Sequence, residues 1–412
     1  MKKRNSRFSI KPFICLLMLA LTIIITASVT VHAAAKKTVR VTTQQELIDA
    51  INDSSVGTIV LKTETRDSIT IPSNKNAKSK KLQVVAPYSV ITNKAKFKSI
   101  TLGSASLFKE AVSGNTIEVE SFALSNLELA KKKSIKKLVI TDYNGFEETS
   151  MYSVIRKGAK IKSIAYKDGK ETVAMDKSSR TLSFHGEAYE WGEPVDVVIT
   201  FDKSGRMLKR TETFEYETDT EFTYKYDKNG NLLESRGYVF YEDNEDGKPT
   251  EVEVNKYTYD SKNRKQTSSE QGRYSAIVTD SSFYYDGKGR LIRVASEDNM
   301  EDKFIREYTY DSKGRVVKEI YENQEFSRST EYEYNNKGYL TYEKYTDTDY
   351  ENCATSVYEY DKYGNRVKDT NTGFYGDVST YEYSYTEMGE WLSTTMTDPD
   401  GEQYVYDPNT AG

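Results

Sequence analysis

Histidine and cysteine are nearly absent from this chain of 412 residues, which has two of each. His32 and Cys15 fall in the first 35 residues, so only His185 and Cys353 remain beyond them. A chain so equipped cannot build a histidine-cluster metal site or a framework of paired cysteines. It also has little material for imidazole or thiolate catalysis. Missing too are a Gly-x-Ser-x-Gly elbow, a Walker loop and a dinucleotide fingerprint. No catalytic residue, cofactor or metal is therefore expected, and the fold must be held by packing and strand pairing, because Cys353 has no partner.

What the chain does have is charge and tyrosine: 58 Lys+Arg, 63 Asp+Glu and 33 Tyr. Lys2, Lys3, Arg4, Arg7 and Lys11 precede an apolar run from Phe13 to Val31, and Val31-His32-Ala33 offers small residues before a cut. Residues 1–33 read as a secretory signal peptide, with an uncleaved anchor as the rival. Either reading makes the protein extracellular and limits membrane contact to this segment. The C-terminus shows neither a sorting motif nor an apolar anchor, so release into the medium is expected.

The remainder divides sharply. Residues 36–165 carry 22 basic and 12 acidic side chains, net +10, whereas residues 166–412 carry 31 and 51, net −20. Tyr88, Tyr143 and Tyr152 lie before that split and the other 30 tyrosines after it. Two regions built on different rules follow: a basic domain at 36–165 and an acidic, Tyr-rich repeat domain at 197–412, joined by a junction at 166–196.

In the basic region Thr43-Gln44-Gln45-Glu46 fits a capping box, and Leu47, Ile48 and Ile51 follow at helical spacing. Brief alternating runs come next, each bounded by Lys, Asn, Ser or Gly and without the Asn-Gly or Asp-Gly dipeptides of tight hairpins. That pattern suits a coiled β-solenoid. The opening helix followed by Gly57-Thr58-Ile59-Val60-Leu61 resembles the start of right-handed parallel β-helix proteins of the pectate-lyase-like group, where such a helix caps the first coil. The resemblance implies an acidic polysaccharide as a possible partner or substrate. Lys131, Lys132, Lys133, Lys136 and Lys137, with Lys94, Lys96 and Lys98, would then face an anionic cell-envelope polymer, or else form a solvated face whose lysines block edge pairing. Lyase chemistry would draw on Asp142 with Lys136 and Lys137.

From residue 197 one pattern recurs, Tyr-x-Tyr-Asp-x-x-Gly-Arg/Asn-apolar. Its Asp position is filled by Asp202, Asp227, Asp260, Asp286, Asp311, Asn335, Asp361 and Thr386, at spacings of 25, 33, 26, 25, 24, 26 and 25. This is a true internal repeat. Asp311 can open a type I turn and Gly314 supplies the positive φ that a following bulge requires, so each unit is a β-hairpin. The positions assigned to this architecture are Tyr226, Asp227 and Gly230; Tyr259 and Asp260; Tyr285, Asp286 and Gly289; Tyr310, Asp311 and Gly314; Tyr334 and Gly338; Tyr360, Asp361 and Gly364. Stacked units predict an all-β fold in which about eight hairpins form an up-and-down antiparallel ribbon, held by tyrosine lying over tyrosine from unit to unit. Tyrosines outside the consensus, namely Tyr339, Tyr342, Tyr345, Tyr350 and Tyr375, are the candidates for ligand contact. Consensus rings such as Tyr308, Tyr332 and Tyr358 are expected to pack.

Tyr308-Thr309-Tyr310-Asp311-Ser312-Lys313-Gly314-Arg315 resembles the YD, or RHS, repeat of bacterial surface and toxin proteins, and Asp398 to Asp407 resembles one further unit. Large members of that family wind such strands into a shell around a toxin. Eight hairpins at about 4.8 Å per strand make a ribbon roughly 75 Å long, too short to close around a folded payload of about 100 residues. The expectation is a secreted, non-enzymatic binding or adhesion module for a glycan or cell-envelope polymer. A polysaccharide-active solenoid and a toxin-system remnant are the alternatives. The acidic repeats and export disfavour nucleic acid. Residues 242–253 resemble an EF-hand loop, but Glu242 and Pro249 depart from it and an acidic return loop is expected. His185, beside Phe184, Tyr189 and Trp191, is expected to pack.

Overall fold

The computed structural model describes residues 36–141, 143, 152–188, 193–215, 218–241, 248–273 and 275–407. The segment read as a signal peptide, Asp142, the acidic insert 242–247 and Trp191 lie outside these residues. The short helix Gln44–Asn52 opens as its sequence requires. Thr43 Oγ1 accepts the Glu46 N–H at 3.2 Å and Glu46 Oε2 accepts the Thr43 N–H at 3.2 Å, which satisfies two of the orphan donors at the helix start. Its apolar side buries Leu47 and Ile51 completely.

Behind the helix the strands pair in parallel, coil on coil. Ile59, Leu82, Ile100, Ile117, Leu138 and Ile164 are successive partners, as are Leu61, Val84, Leu102, Val119, Ile140 and Tyr166. All twelve are buried. Two such columns are the interior of a β-solenoid, because residues two apart on a strand face the same side and the side chain above repeats that choice. On the second wall Ile71, Asn93, Glu110, Leu129 and Ile155 stack likewise. Burial pushes the Glu110 carboxyl up to about 7, against hydrogen bonds from Asn93, Asn115 and the Val112 N–H.

The acidic region is an antiparallel sheet of eighteen strands, from Thr181–Ala188 to Gln403–Tyr406, each paired with its chain neighbours. It begins inside the stretch read as a junction, since Leu182, Phe184, Val195, Val197 and Ile199 on its first two strands are all buried. The last solenoid strand, Ile164–Asp168, also reaches into that stretch. Tyr166 stacks on Phe184 at 3.7 Å, and the apolar core runs without a break from Val41 through the solenoid to Leu232. The two regions pack as one compact unit, Thr38–Gly412.

Eight bulged turns occur where the repeat places them. Positive φ appears at Gly205, Gly230, Asn263, Gly289, Gly314, Gly338, Gly364 and Gly389, and the pairing register shifts beside each one. In the Asp286 turn, Asp286 Oδ1 accepts the N–H groups of Lys288 and Arg290 at 2.9 Å each, and Oδ2 accepts Arg290 Nε at 2.7 Å. The Arg290 N–H and guanidinium hold this carboxyl below its ordinary range. Asp398 to Gly401 has the same hydrogen bonding, Gly401 N–H to Asp398 O at 3.0 Å, but it closes the opposite end of a hairpin. Of the further unit expected there, the described residues contain the strand Gln403–Tyr406.

The rings do not lie tyrosine over tyrosine through the ribbon. Equivalent strands are separated by a returning strand, hence by about 9.6 Å, too far for ring contact. Arginine fills the gap. The guanidinium of Arg290 lies 4.7 Å from the Tyr310 ring and donates to Asp311 O at 3.2 Å, while the Tyr310 hydroxyl donates back to Leu291 O at 2.5 Å. Arg264 covers Tyr285 and Arg315 covers Tyr334 in the same way, at 4.4 and 4.6 Å. Their hydroxyls reach Lys265 O and Val316 O at 2.7 and 2.6 Å. These three turns thus grip the ring of the next unit by cation–π contact and a hydroxyl–carbonyl bond. Among the described residues, the one ring contact between consensus-strand and turn tyrosines is Tyr360 on Tyr339, at 4.9 Å.

Candidate functional site

The turns also fasten the sheet to the solenoid. Ile161 N–H donates to Ser204 O at 2.8 Å, Lys157 N–H to Asn229 O at 3.2 Å and Arg66 N–H to Gly338 O at 2.9 Å. Lys62 Nζ donates to Gly389 O. Four turns lack the consensus arginine, with Asn231, Tyr339, Asn365 and Glu390 in its place, and at the two that carry asparagine the solenoid supplies one: Arg156 donates to Asn231 Oδ1 at 2.5 Å and Arg40 to Asn365 Oδ1 at 2.6 Å. Each asparagine still ties its own turn, through Nδ2 to Asp227 and to Asp361 at 2.8 Å. The consensus accepts Arg or Asn after the glycine as equivalents; at Asn231 and Asn365 the exchange marks where an arginine of the solenoid enters, whereas the docked Ser204 turn keeps its own Arg206.

Of the five tyrosines proposed for ligand contact, Tyr339 is only 1% exposed. It occupies the post-glycine position of its turn and packs on Tyr360, so it is a structural ring and not a ligand contact. Tyr342 faces the other side of the sheet from Tyr345, three residues on, with Glu333 and Val357 as its neighbours in register. The other three converge. Tyr350 stacks on Phe374 at 4.1 Å and 10°, Tyr345 meets the same ring edge-on at 5.6 Å, and Tyr375 stands against Tyr350 at 6.1 Å. Tyr375 is 86% exposed and Tyr350 40%. Tyr345 lies near the end of the strand Leu340–Asp347, and Tyr350, Phe374 and Tyr375 lie in the return loops after that strand and after Arg366–Thr372, at the end of the sheet opposite the bulged turns. Phe374 was not singled out in the sequence; its place next to Tyr375 in a return loop was the available signal.

Polar groups frame this patch. Arg328 Nε meets Asp347 Oδ2 at 2.6 Å, and its guanidinium lies 4.0 Å from the Phe326 ring. The hydrogen bond to Asp347 raises the Arg328 pKa, while the Asp349 N–H leads the groups that lower that of Asp347. Beside Tyr345 a hollow of about 370 Å³ is lined by Arg306, Glu319, Tyr321, Phe326, Arg328 and Thr330. Flat apolar faces bordered by fixed donors and acceptors suit a ligand that has both a C–H face and hydroxyl groups.

Other sequence candidates do not assemble. Lys136 is exposed at the surface, and Asp142, its proposed catalytic companion, lies outside the described residues. His185 is not packed among aromatic rings: its side chain is 67% exposed and Nδ1 lies 3.0 Å from Asp196 Oδ1. Its alternation on the strand Thr181–Ala188 puts Phe184 inward and the imidazole outward. The acidic insert lies outside the described residues, but Glu253, the last ligand of the EF-hand-like pattern, is buried within a strand and accepts from Asn255 Nδ2 at 2.6 Å. Among the described residues, no three His, Cys, Asp or Glu side chains cluster as metal ligands. Trp391 is half-buried and donates to Thr394 Oγ1 at 2.8 Å.

No family model matches the chain, and no curated protein matches it. Among solved structures it is similar to TcdB2-TccC3 without its hypervariable C-terminal region. That match has 14% identity and a TM-score of 0.30, and covers 57% of this chain but 16% of that one. It is also similar to a porin-like protein from Bacteroides uniformis, at 11% identity and a TM-score of 0.25, over 48% of this chain and 88% of that one. Likenesses this distant carry no argument about shape or role. Four of the eight bulged turns, those of Arg206, Arg264, Arg290 and Arg315, place the arginine against the tyrosine ring of the next unit.

Proposed function

We propose that this is an exported, non-enzymatic binding module in which a YD/RHS-like sheet, anchored on a solenoid, presents an aromatic patch to a cell-envelope glycan. One observation carries the reading: Tyr345, Tyr350 and Tyr375, drawn from separate stretches of the chain, meet around Phe374 beside the Arg328–Asp347 pair. Exposed rings at the free end of the hairpins add nothing to the core, and monomeric proteins rarely keep such apolar clusters without use. The consensus tyrosines are engaged by arginines and backbone carbonyls, which leaves the return loops to vary for recognition.

A glycan array probed with the full chain and with the Tyr350→Ala/Tyr375→Ala double variant tests this. The unaltered protein is expected to retain a defined set of glycans, and the variant to lose roughly tenfold or more in affinity at unchanged thermal stability. Retention of no glycan, or equal binding by both proteins, sinks the reading. Release of shortened product from a bound glycan would transfer the assignment to a polysaccharide-active enzyme.

A further inference from the structure

A second cavity, of about 460 Å³, opens where the bulged turns meet the solenoid. It is lined by Lys109, Lys131, Arg156, Lys157 and Lys262, by the side chains of Asn229 and Asn263, and by a single acid, Glu128. Four turns build it: two of the solenoid, at 131–132 and 157–158, and two of the sheet, at 228–229 and 262–263. Backbone bonds hold them in place, Lys132 N–H to Lys157 O and Lys157 N–H to Asn229 O, each 3.2 Å. The two sheet turns are joined by Asn231 Nδ2 to Asn263 Oδ1 at 3.1 Å.

The charges do not balance inside this frame. Glu128 is shared by Arg156 at 2.7 Å and Lys109 at 3.3 Å. Lys131, Lys157 and Lys262 are exposed at the rim, and none has a carboxylate within ion-pair distance among the described residues. Three flexible ammonium groups on rigid turns, around a pocket that the half-buried Arg156, Asn229 and Asn263 also line, form a concave positive site on a chain whose net charge is −5. Such a cleft concentrates anions, the more so because the acidic remainder repels them from elsewhere.

We infer that this seam pocket is an anion subsite that takes the singly charged oxyanion groups of an extended polymer, either phosphodiester or uronate, with Lys131, Lys157 and Lys262 as the contacting residues. It stands independently of the aromatic patch and names a different chemistry. Lysine ammonium groups act as point charges and do not choose between phosphate and carboxylate geometry, so the experiment separates the two sources.

The full chain is titrated at low salt with poly(glycerol phosphate), with polygalacturonate and with neutral dextran. The same titrations are run on Lys131→Glu/Lys157→Glu/Lys262→Glu, on the milder triple glutamine variant, on Tyr350→Ala/Tyr375→Ala, and on Lys75→Glu/Lys78→Glu/Lys81→Glu, a charge-matched control at exposed lysines elsewhere on the solenoid. Circular dichroism verifies each fold. At least one anionic polymer is expected to bind and dextran not to. The seam reversal should lose tenfold or more in affinity, with a smaller loss for glutamine. The Lys75 control and Tyr350→Ala/Tyr375→Ala should keep most of it. Affinity should fall as salt rises from 0.01 M to 0.15 M, as screening shortens from about 30 to about 8 Å. The inference is overturned if neither polymer binds, if the seam variants bind like the unaltered chain, or if the control reversal loses as much. Loss confined to the aromatic variant would overturn it too, while leaving the aromatic patch reading intact.

Discussion

The turns that dock on the solenoid and the turns that stand free obey one backbone rule and different packing rules. A Cβ on Gly314 would meet nothing within 4 Å. One on Gly230 would fall inside the van der Waals shell of the Ile155 carbonyl, and one on Gly205 would come within 2.8 Å of Ile161 Cβ. In the free turns the glycine answers only to φ; in the docked turns it also lets two backbones touch. The difference teaches that a repeat consensus states what every unit needs, whereas the tertiary interface is written in what surrounds it and in the exceptions. Arg264 and Arg290 hold the next ring in free units, Arg315 does so in a turn that touches the solenoid through the ion pairs of Lys313 and Arg315 with Asp67, each 3.6 Å, and the docked Asn231 and Asn365 receive an arginine from outside the repeat.

The largest effect should come from adding one methyl group to each class. Gly230→Ala combines positive φ with a clash against fixed backbone and is expected to cost more than about 3 kcal/mol. Gly314→Ala bears only the left-handed conformation, about 1 kcal/mol. Urea unfolding of the two variants measures the gap through their midpoints. Equal shifts would mean that docking contributes nothing beyond the turn itself.

Much of this was legible in the sequence because hairpin chemistry is local. Asp311, two central residues and Gly314 specify a type I turn with a bulge within five residues, and the alternating aliphatic runs specify inward columns such as Ile59–Leu82–Ile100. What failed depended on separations that no local pattern contains. The expectation of rings lying on rings overlooked the returning strand, and with it Arg290 as the group that spans the distance to Tyr310. Tyr339 looked like a free tyrosine because it falls outside Tyr-x-Tyr-Asp, yet it takes the place of that arginine in its own turn. His185 was placed inward from the company of Phe184, although neighbours on a strand point opposite ways. In the aromatic patch, Tyr345, Tyr350 and Tyr375 were found by exclusion from the consensus, but nothing local said that Phe374 would join them.

Exchanging the arginine between the two kinds of turn gives the next effect. Arg156 joins Asn231 and Glu128 with 22% of its side chain exposed, so Arg156→Ala leaves a largely buried carboxylate with Lys109 as its one remaining cation and should cost about 2 kcal/mol. Arg290→Ala in a free turn removes a partly exposed pair and a cation–π contact, about 1 kcal/mol. Asn231→Arg alone should also destabilise, since it sets two guanidiniums against each other. The double variant Arg156→Asn/Asn231→Arg should recover part of that loss by restoring the consensus arrangement. A double-mutant cycle on thermal unfolding reads this coupling, and simple additivity of the two single changes would break the proposed equivalence of an arginine supplied within the repeat and one supplied by the solenoid.

The smallest effect is a single hydroxyl, and its sign should reverse between the classes. In a free unit the Tyr310 hydroxyl donates to Leu291 O at 2.5 Å, so Tyr310→Phe leaves a strand-end carbonyl without that donor and should destabilise by about 1 kcal/mol. In the docked unit the ring of Tyr226 lies under the solenoid, and its hydroxyl is buried without a hydrogen-bond partner. Burial drives its pKa well upward, with the neighbouring Tyr224 adding to the shift. Removing a buried, unsatisfied hydroxyl removes a desolvation cost, so Tyr226→Phe should be neutral or stabilising by up to about 1 kcal/mol. Melting temperatures of the two variants, measured side by side, decide it. The Arg206 guanidinium stands 5.1 Å from the Tyr226 ring, so a loss at Tyr226 equal to that at Tyr310 would show that the docked hydroxyl is satisfied after all, and that docking leaves both halves of the Tyr–Arg grip in place.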